Sequence, residues 1–136
     1  MGNFKGLRVW NDAMELAEKV YKSINENPNF AQDFGLRNQI TRAVISVPSN
    51  IAEGDERGSN REAVHFFHIS KGSVAEVITQ LHLARRLGYI SVESLDELEN
   101  LAEKIRASLK NLTQARGGSN PLKVAFWLLI ALLKPI

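Results

Sequence analysis

Residues 36–54, LRNQITRAVISVPSNIAEG, carry apolar side chains at Leu36, Ile40, Ala43, Val44, Val47 and Ile51. Intervals of three and four residues put these on one face of a helix, not on alternating sides of a strand. Pro48 falls inside the stripe. It has no N–H to donate and crowds the carbonyl of Val44, yet the period continues to Ile51. The segment therefore reads as a helix bent at Pro48 and ended by Gly54.

Upstream, Trp10, Ala13, Met14, Ala17, Val20, Tyr21 and Ile24 repeat the same spacing, and Asn25, Asn27 and Pro28 stop it. Downstream, Ser59 with Glu62 three residues later is a capping box opening a third helix. That helix carries Phe67, Val74, Val77, Ile78, Leu81 and Ala84 inward and runs to about Leu87, with Gly88 at its end. Gly72 and Ser73 are poor helix formers, and their small size predicts close approach of another helix there. Ser91 starts a fourth helix with its stripe at Leu95, Leu98, Ala102, Ile105, Leu109 and Leu112. Acids lead it (Glu93, Asp96, Glu97, Glu99) and bases trail (Lys104, Arg106, Lys110, Arg116), an order that complements the helix dipole, before Gly117 and Gly118 end it.

No segment alternates as a strand would, and the connections are short. The predicted fold is all-α: an antiparallel up-and-down four-helix bundle over residues 1–118, with a Pro-bent second helix. Residues 119–136 form an apolar C-terminal extension, in which Val124–Leu133 is apolar on every side between Lys123 and Lys134. Ten residues fall short of the roughly 17 that span a bilayer. A helix without a polar face must instead be buried against its own bundle or a partner subunit.

At 136 residues the chain can bury a core without a staple, and the absence of cysteine excludes disulfides, zinc ribbons and thiol chemistry. It also suits a reducing cytosol, and Met1–Trp10 has no apolar signal core, so the expected location is cytoplasmic. An isoelectric point near 9.0 invites a nucleic-acid partner, but 17 Lys+Arg nearly balance 15 Asp+Glu and no run of bases exists. Any cationic surface must come from folding or from oligomer symmetry.

Val47-Pro48-Ser49-Asn50-Ile51-Ala52-Glu53-Gly54 is more specific than any period. Leu7, Trp10, Ala13 and Leu16 precede it, with Gln39, Arg42 and Ala43 closer by. Gly72-Ser73, Glu76, Gln80-Leu81 and Ala84-Arg85-Arg86-Leu87-Gly88-Tyr89 follow. Over about residues 4 to 112 this resembles the bacterial four-helix-bundle family encoded in intervening sequences of 23S ribosomal RNA genes. It is more distantly similar to the accessory variability determinant of diversity-generating retroelements. The resemblance implies a non-catalytic accessory protein that forms cyclic homo-oligomers, typically pentamers, with a nucleic-acid-linked role and no cofactor. It also implies, as an alternative, a partner of a retroelement reverse transcriptase. Gly6 departs from the family, which often has an acidic or Asn cap there, and the apolar tail lies outside the family pattern.

Two sets of residues are candidates for function. Arg37, Arg42, Arg57, Arg61, Lys71, Arg85 and Arg86 form the best basic surface, able to hold phosphates when repeated around a ring. Asp55, Glu56 and Glu62 would balance them if they are merely solvated charges. No aromatic-interleaved RNA motif supports sequence-specific readout. Ser46, Pro48, Asn50, Glu53, Ser73 and Glu76 read as a structural polar seam between two helices, with Asn50 donating to the Val44 carbonyl region or to Glu76. A ligand or RNA site beside the bend is the competing reading.

Catalytic and metal patterns are weaker. Glu62-x-x-His65 has the spacing of a di-iron bundle motif but lacks the second such motif the site requires, so no metal is expected. Arg61 with His68 loosely matches a helical ribonuclease class called HEPN, a third alternative. Trp10, Tyr21 and Tyr89 are expected in core or bundle-end packing, and Trp127 as an anchor for another subunit.

Overall fold

The computed structural model describes residues 2–117 together with Leu129, Leu132 and Leu133. A 3-10 turn at Phe4–Gly6 leads into α1 (Arg8–Glu26). After it come α2 (Pro28–Gln32), α3 (Phe34–Glu56), α4 (Asn60–Arg86) and α5 (Val92–Gly117). Among the described residues there is no strand. The four long helices form a bundle in which α1 packs on α3 and α5, and α4 packs on α3 and α5.

Each stripe finds the interior. Val9, Ala13, Leu16, Val20 and Ile24 are the buried face of α1, and Ile40, Val44, Val47 and Ile51 the centre of that of α3. Phe67, Val74, Val77, Leu81 and Ala84 answer from α4, and Leu98, Ala102, Ile105 and Leu109 from α5. α3 continues through Pro48 without interruption. Gly54 sits against the other side of the hairpin: a Cβ there would lie 2.6 Å from Phe67 Cε1 and 3.0 Å from the Ala63 carbonyl oxygen.

The predicted caps hold. Ser59 Oγ accepts from the Glu62 amide at 3.2 Å, and Ser91 Oγ from the Ser94 amide at 3.1 Å. Gly88, at φ +78°, closes α4 by donating its amide to Arg85 O while the Tyr89 amide reaches back to Ala84 O. That bond pair is the Schellman ending, in which the left-handed residue costs least as glycine.

α1 ends at Glu26, where Asn25, Asn27 and Pro28 were expected to stop it. Beyond it Asn27 Oδ1 accepts from the amides of Asn29 and Phe30 and Pro28 fills the first turn, so a short helix forms and buries Phe30. Two expectations need correction. Tyr21 is not packed in the core but exposed, because its position lies at the margin of the α1 stripe. Nothing approaches Gly72 within 4 Å of an added Cβ; only its neighbour Ser73 is buried against another helix. The division at 118/119, Trp127 and the apolar extension apart from Leu129, Leu132 and Leu133 lie outside the described residues.

No helix among the described residues is long and apolar enough to cross a membrane.

Candidate nucleic-acid interface

Pro48 removes one rung from the hydrogen-bond ladder of α3, and polar side chains gather beside it. Ser70 Oγ, fully buried on α4, donates to Val47 O at 2.8 Å. One turn away, Asn50 Nδ2 donates to Ser46 O at 2.8 Å and to Ser46 Oγ at 2.9 Å. Ser46 Oγ lies 2.8 Å from Ser73 Oγ, and Ser73 Oγ donates to Ile69 O at 3.2 Å. Each hydroxyl has a single proton, and that of Ser73 is spent on Ile69, so Ser46 is the donor to Ser73. A directed chain thus runs from Asn50 through Ser46 and Ser73 to the α4 backbone.

This is the polar seam, with a corrected membership. Asn50 does not reach Glu76; it bonds within its own helix. Glu53 and Glu76 are exposed, Glu53 paired with Arg57 at 3.0 Å. Their helical positions point past the α3–α4 contact, which buries only one side of each helix. Ser70 belongs to the seam and was missed, although its four-residue offset from Val74 and three from Phe67 places it on the same buried face. The seam joins α3 to α4, and a hollow of about 370 Å³ beside Pro48 opens toward α1, lined by Ile45, Pro48, Ser49 and Ala52.

The seven candidate bases do not form one patch on a single chain. Arg57 and Arg61 lie where α3 ends and α4 begins, whereas Arg37, Arg85 and Arg86 lie at the opposite end. Arg61 and Arg85 are about 36 Å apart along α4 at 1.5 Å per residue. Two of the seven are engaged locally: Arg37 donates to Ala31 O at 3.0 Å and covers the Phe34 ring, and Arg57 covers the Phe66 ring beside its bond to Glu53.

The remaining charge is unevenly distributed. Arg61, Lys71, Arg85 and Arg86, all the bases of α4, have no ion-pair partner among the described residues; nor has Arg42 of α3. On α1 and α5, by contrast, Lys19 pairs with Glu97 and Glu15, and Lys22 with Glu26. Lys104 stands 3.4 Å from Asp12, and Arg116 bridges Asp55 and Asn60. The bond to Glu97 raises the Lys19 ammonium above its ordinary pKa and lowers that of the Glu97 carboxyl. Lys71 faces a hollow of about 360 Å³ between α4 and α5 that also receives Glu103, Arg106 and Lys110. Arg106 is bound to Glu103, leaving Lys71 and Lys110 to set the sign of the hollow. Lys110 and Arg106 were read only as complements to the helix dipole; their spacing with Glu103 on one face of α5 was the available signal.

Arg61 and His68 are both exposed on α4, about 10 Å apart along its axis. Glu62 and His65 are exposed too, and among the described residues no group of three or more ligand-type side chains forms around them.

The sequence pattern of the family described as 23S rRNA-intervening sequence protein matches residues 5–111. Of solved structures, a protein of unknown function from the S23 ribosomal protein family of Bacteroides thetaiotaomicron superposes with a TM-score of 0.70 at 24% identity, covering 78% of this chain and 98% of that one. That likeness is one of fold. No curated protein matches the sequence.

Proposed function

The chain belongs to the 23S rRNA-intervening sequence protein family, and from that premise we propose that it is a non-catalytic accessory protein of the cytoplasm that works as a ring of identical copies on nucleic acid. The observation that carries the reading is the split in its charge: among the described residues, bases on α1 and α5 are largely paired with acids, and the arginines and lysine of α4 are not. Unpaired guanidinium and ammonium groups retain their full charge for phosphate and release its counterions on contact. A single copy spreads them along a helix about 40 Å long, too thinly for tight binding. Cyclic repetition, with about five subunits, brings those of neighbouring copies onto one surface and multiplies their field.

Such binding reads backbone charge, not base sequence, because the exposed α4 bases are not interleaved with stacking aromatics. The test is a polynucleotide titration of the full chain at 50 and 200 mM salt, alongside its mass by sedimentation. An assembly whose affinity falls at least tenfold across that range, and whose Arg85→Ala/Arg86→Ala variant binds more weakly at 50 mM with a shallower salt dependence, supports the reading. A monomer, or an assembly indifferent to RNA and DNA at low salt, overturns it.

A further inference from the structure

Among the described residues apolar surface stands open in three places, one of them the stripe of Ile78 and Leu83 on α4; the other two fit each other. The first of these two runs along α1: a trough between α1 and α3 walled by Trp10, Met14 and Ala17 on one side and Ile45 and Pro48 on the other, continued past Tyr21 by a shallower hollow of α1 residues alone. Its two hollows, about 370 and 560 Å³, share Met14 and Ala17 and so form one channel along α1. Met14, Tyr21 and Ile45 are 37%, 41% and 46% exposed in it, large side chains left half in water. The second surface lies beyond α5. Leu129, Leu132 and Leu133 are helical and 56%, 83% and 73% exposed, and their spacing stacks them on one face.

We propose that residues 124–133 of one copy lie in the α1/α3 trough of a second copy; this rests on the oligomer reading above and names the contact that makes the oligomer. Length fits: ten residues would measure about 15 Å if helical, and Trp10 to Tyr21 covers about 16 Å along α1. Character fits: Val124–Leu133 has no polar side chain, and the trough walls are apolar. At the Tyr21 end Glu18, Lys22 and Glu26 line the hollow, and Lys22 stands 3.9 Å from Glu26. This leaves Glu18, with no ion-pair partner among the described residues, to meet one of Lys123 and Lys134, which bracket the segment.

Geometry favours exchange between copies. Among the described residues nothing covers either surface, and a ridge and a trough are complementary to each other but not to themselves. Such a contact is head-to-tail, and a closed head-to-tail contact is a ring. Residues 118–123 reach at most about 20 Å, enough to step from Gly117 to an adjoining bundle while keeping the segment tethered.

The experiment uses the full chain with benzoylphenylalanine in place of Leu129, photolysed in a mixture of light- and heavy-isotope copies, and in parallel the sedimentation of Leu129→Asp/Leu132→Asp/Leu133→Asp and of Met14→Glu. The expected result is a crosslink joining light to heavy chains within Trp10–Tyr21, with both variants folded by circular dichroism but reduced to single-chain mass. Met14 and the three leucines are exposed, so these charges do not enter the core. If the wild-type chain sediments alone, the oligomer reading and this inference both fail. If it assembles and the aspartate variant assembles equally, only this inference fails. A crosslink confined to one copy, a crosslink to the exposed Leu83 stripe of α4, or leucine-dependent flotation with phosphatidylcholine vesicles would each also overturn it.

Discussion

Tyr89 Oη donates to Asp33 Oδ2 at 2.8 Å, joining the loop after α4 to the residue that caps α3. Asp33 Oδ1 accepts from the Leu36 amide at 3.1 Å, so one carboxylate both starts a helix and anchors a turn 56 residues away. The Tyr89 ring stacks on Phe30 with centroids 5.3 Å apart, and the Tyr89 carbonyl accepts from Asn27 Nδ2. This end of the bundle is held by a knot of four residues.

Stability should follow the ionisation of that knot. The Leu36 amide and the Tyr89 hydroxyl hold the Asp33 carboxyl below the usual carboxylate range; the bond to Asp33 pushes the Tyr89 phenol up. A depressed acid contributes its stability above its unfolded pKa and loses it as pH falls through the folded one. For the raised phenol the contribution is whole below its unfolded value, near 10, and is lost as pH rises through the folded value. The loss of thermal stability in Tyr89→Phe should therefore be constant between about pH 5 and 9 and shrink on both sides of that window. A loss that grew toward pH 3 would contradict the assignment.

Two glycines should respond in opposite directions. At Gly54 a methyl group meets the fully buried Phe67 ring and a backbone carbonyl, neither of which can retreat. Gly54→Ala should cost about 1–3 kcal/mol by overpacking. Gly72 is exposed on a helix with open space around it, so Gly72→Ala should gain about 0.5–1 kcal/mol. Urea unfolding of both variants measures the two signs.

Ser46 and Ser73 should be coupled, and Ser46 and Ser70 should not. The first pair shares one proton chain, whereas Ser70 bonds separately to Val47 O. Each alanine variant should lose about 1 kcal/mol. In a double-mutant cycle Ser46→Ala/Ser73→Ala should depart from additivity by at least 0.5 kcal/mol, and Ser46→Ala/Ser70→Ala by less.

Glu103→Gln offers a gain of binding. It removes the one acid facing the hollow shared by Lys71, Arg106 and Lys110 and frees Arg106 from its pairing. Polynucleotide affinity at low salt should rise severalfold and its salt dependence steepen, while Lys71→Ala and Lys110→Ala should move both the other way. Unchanged affinity in all three would remove this hollow from the interface.

The long helices were legible because each depends on a local signal: a three-four stripe, the Ser59 cap, the left-handed Gly88. Much of the candidate site was not. The stripe marks which side of α3 is buried, but not that Ser46 at its margin meets Ser73 while Glu53 points past the contact. Nor does composition distinguish Lys104, paired with Asp12 on another helix, from Lys71, which has no such partner among the described residues.

By itself the amino-acid order determined the four long helices, their inward faces and their ends, since periodicity and capping act within a few residues. Tertiary structure alone decided which charges remain free, which polar groups join α3 to α4, that Asp33 and Tyr89 meet, and that a trough stays open along α1. The physical reason is range. A helix forms from bonds to residues four positions away, whereas a pairing or an opening exists only where distant segments are brought within a few ångströms of each other.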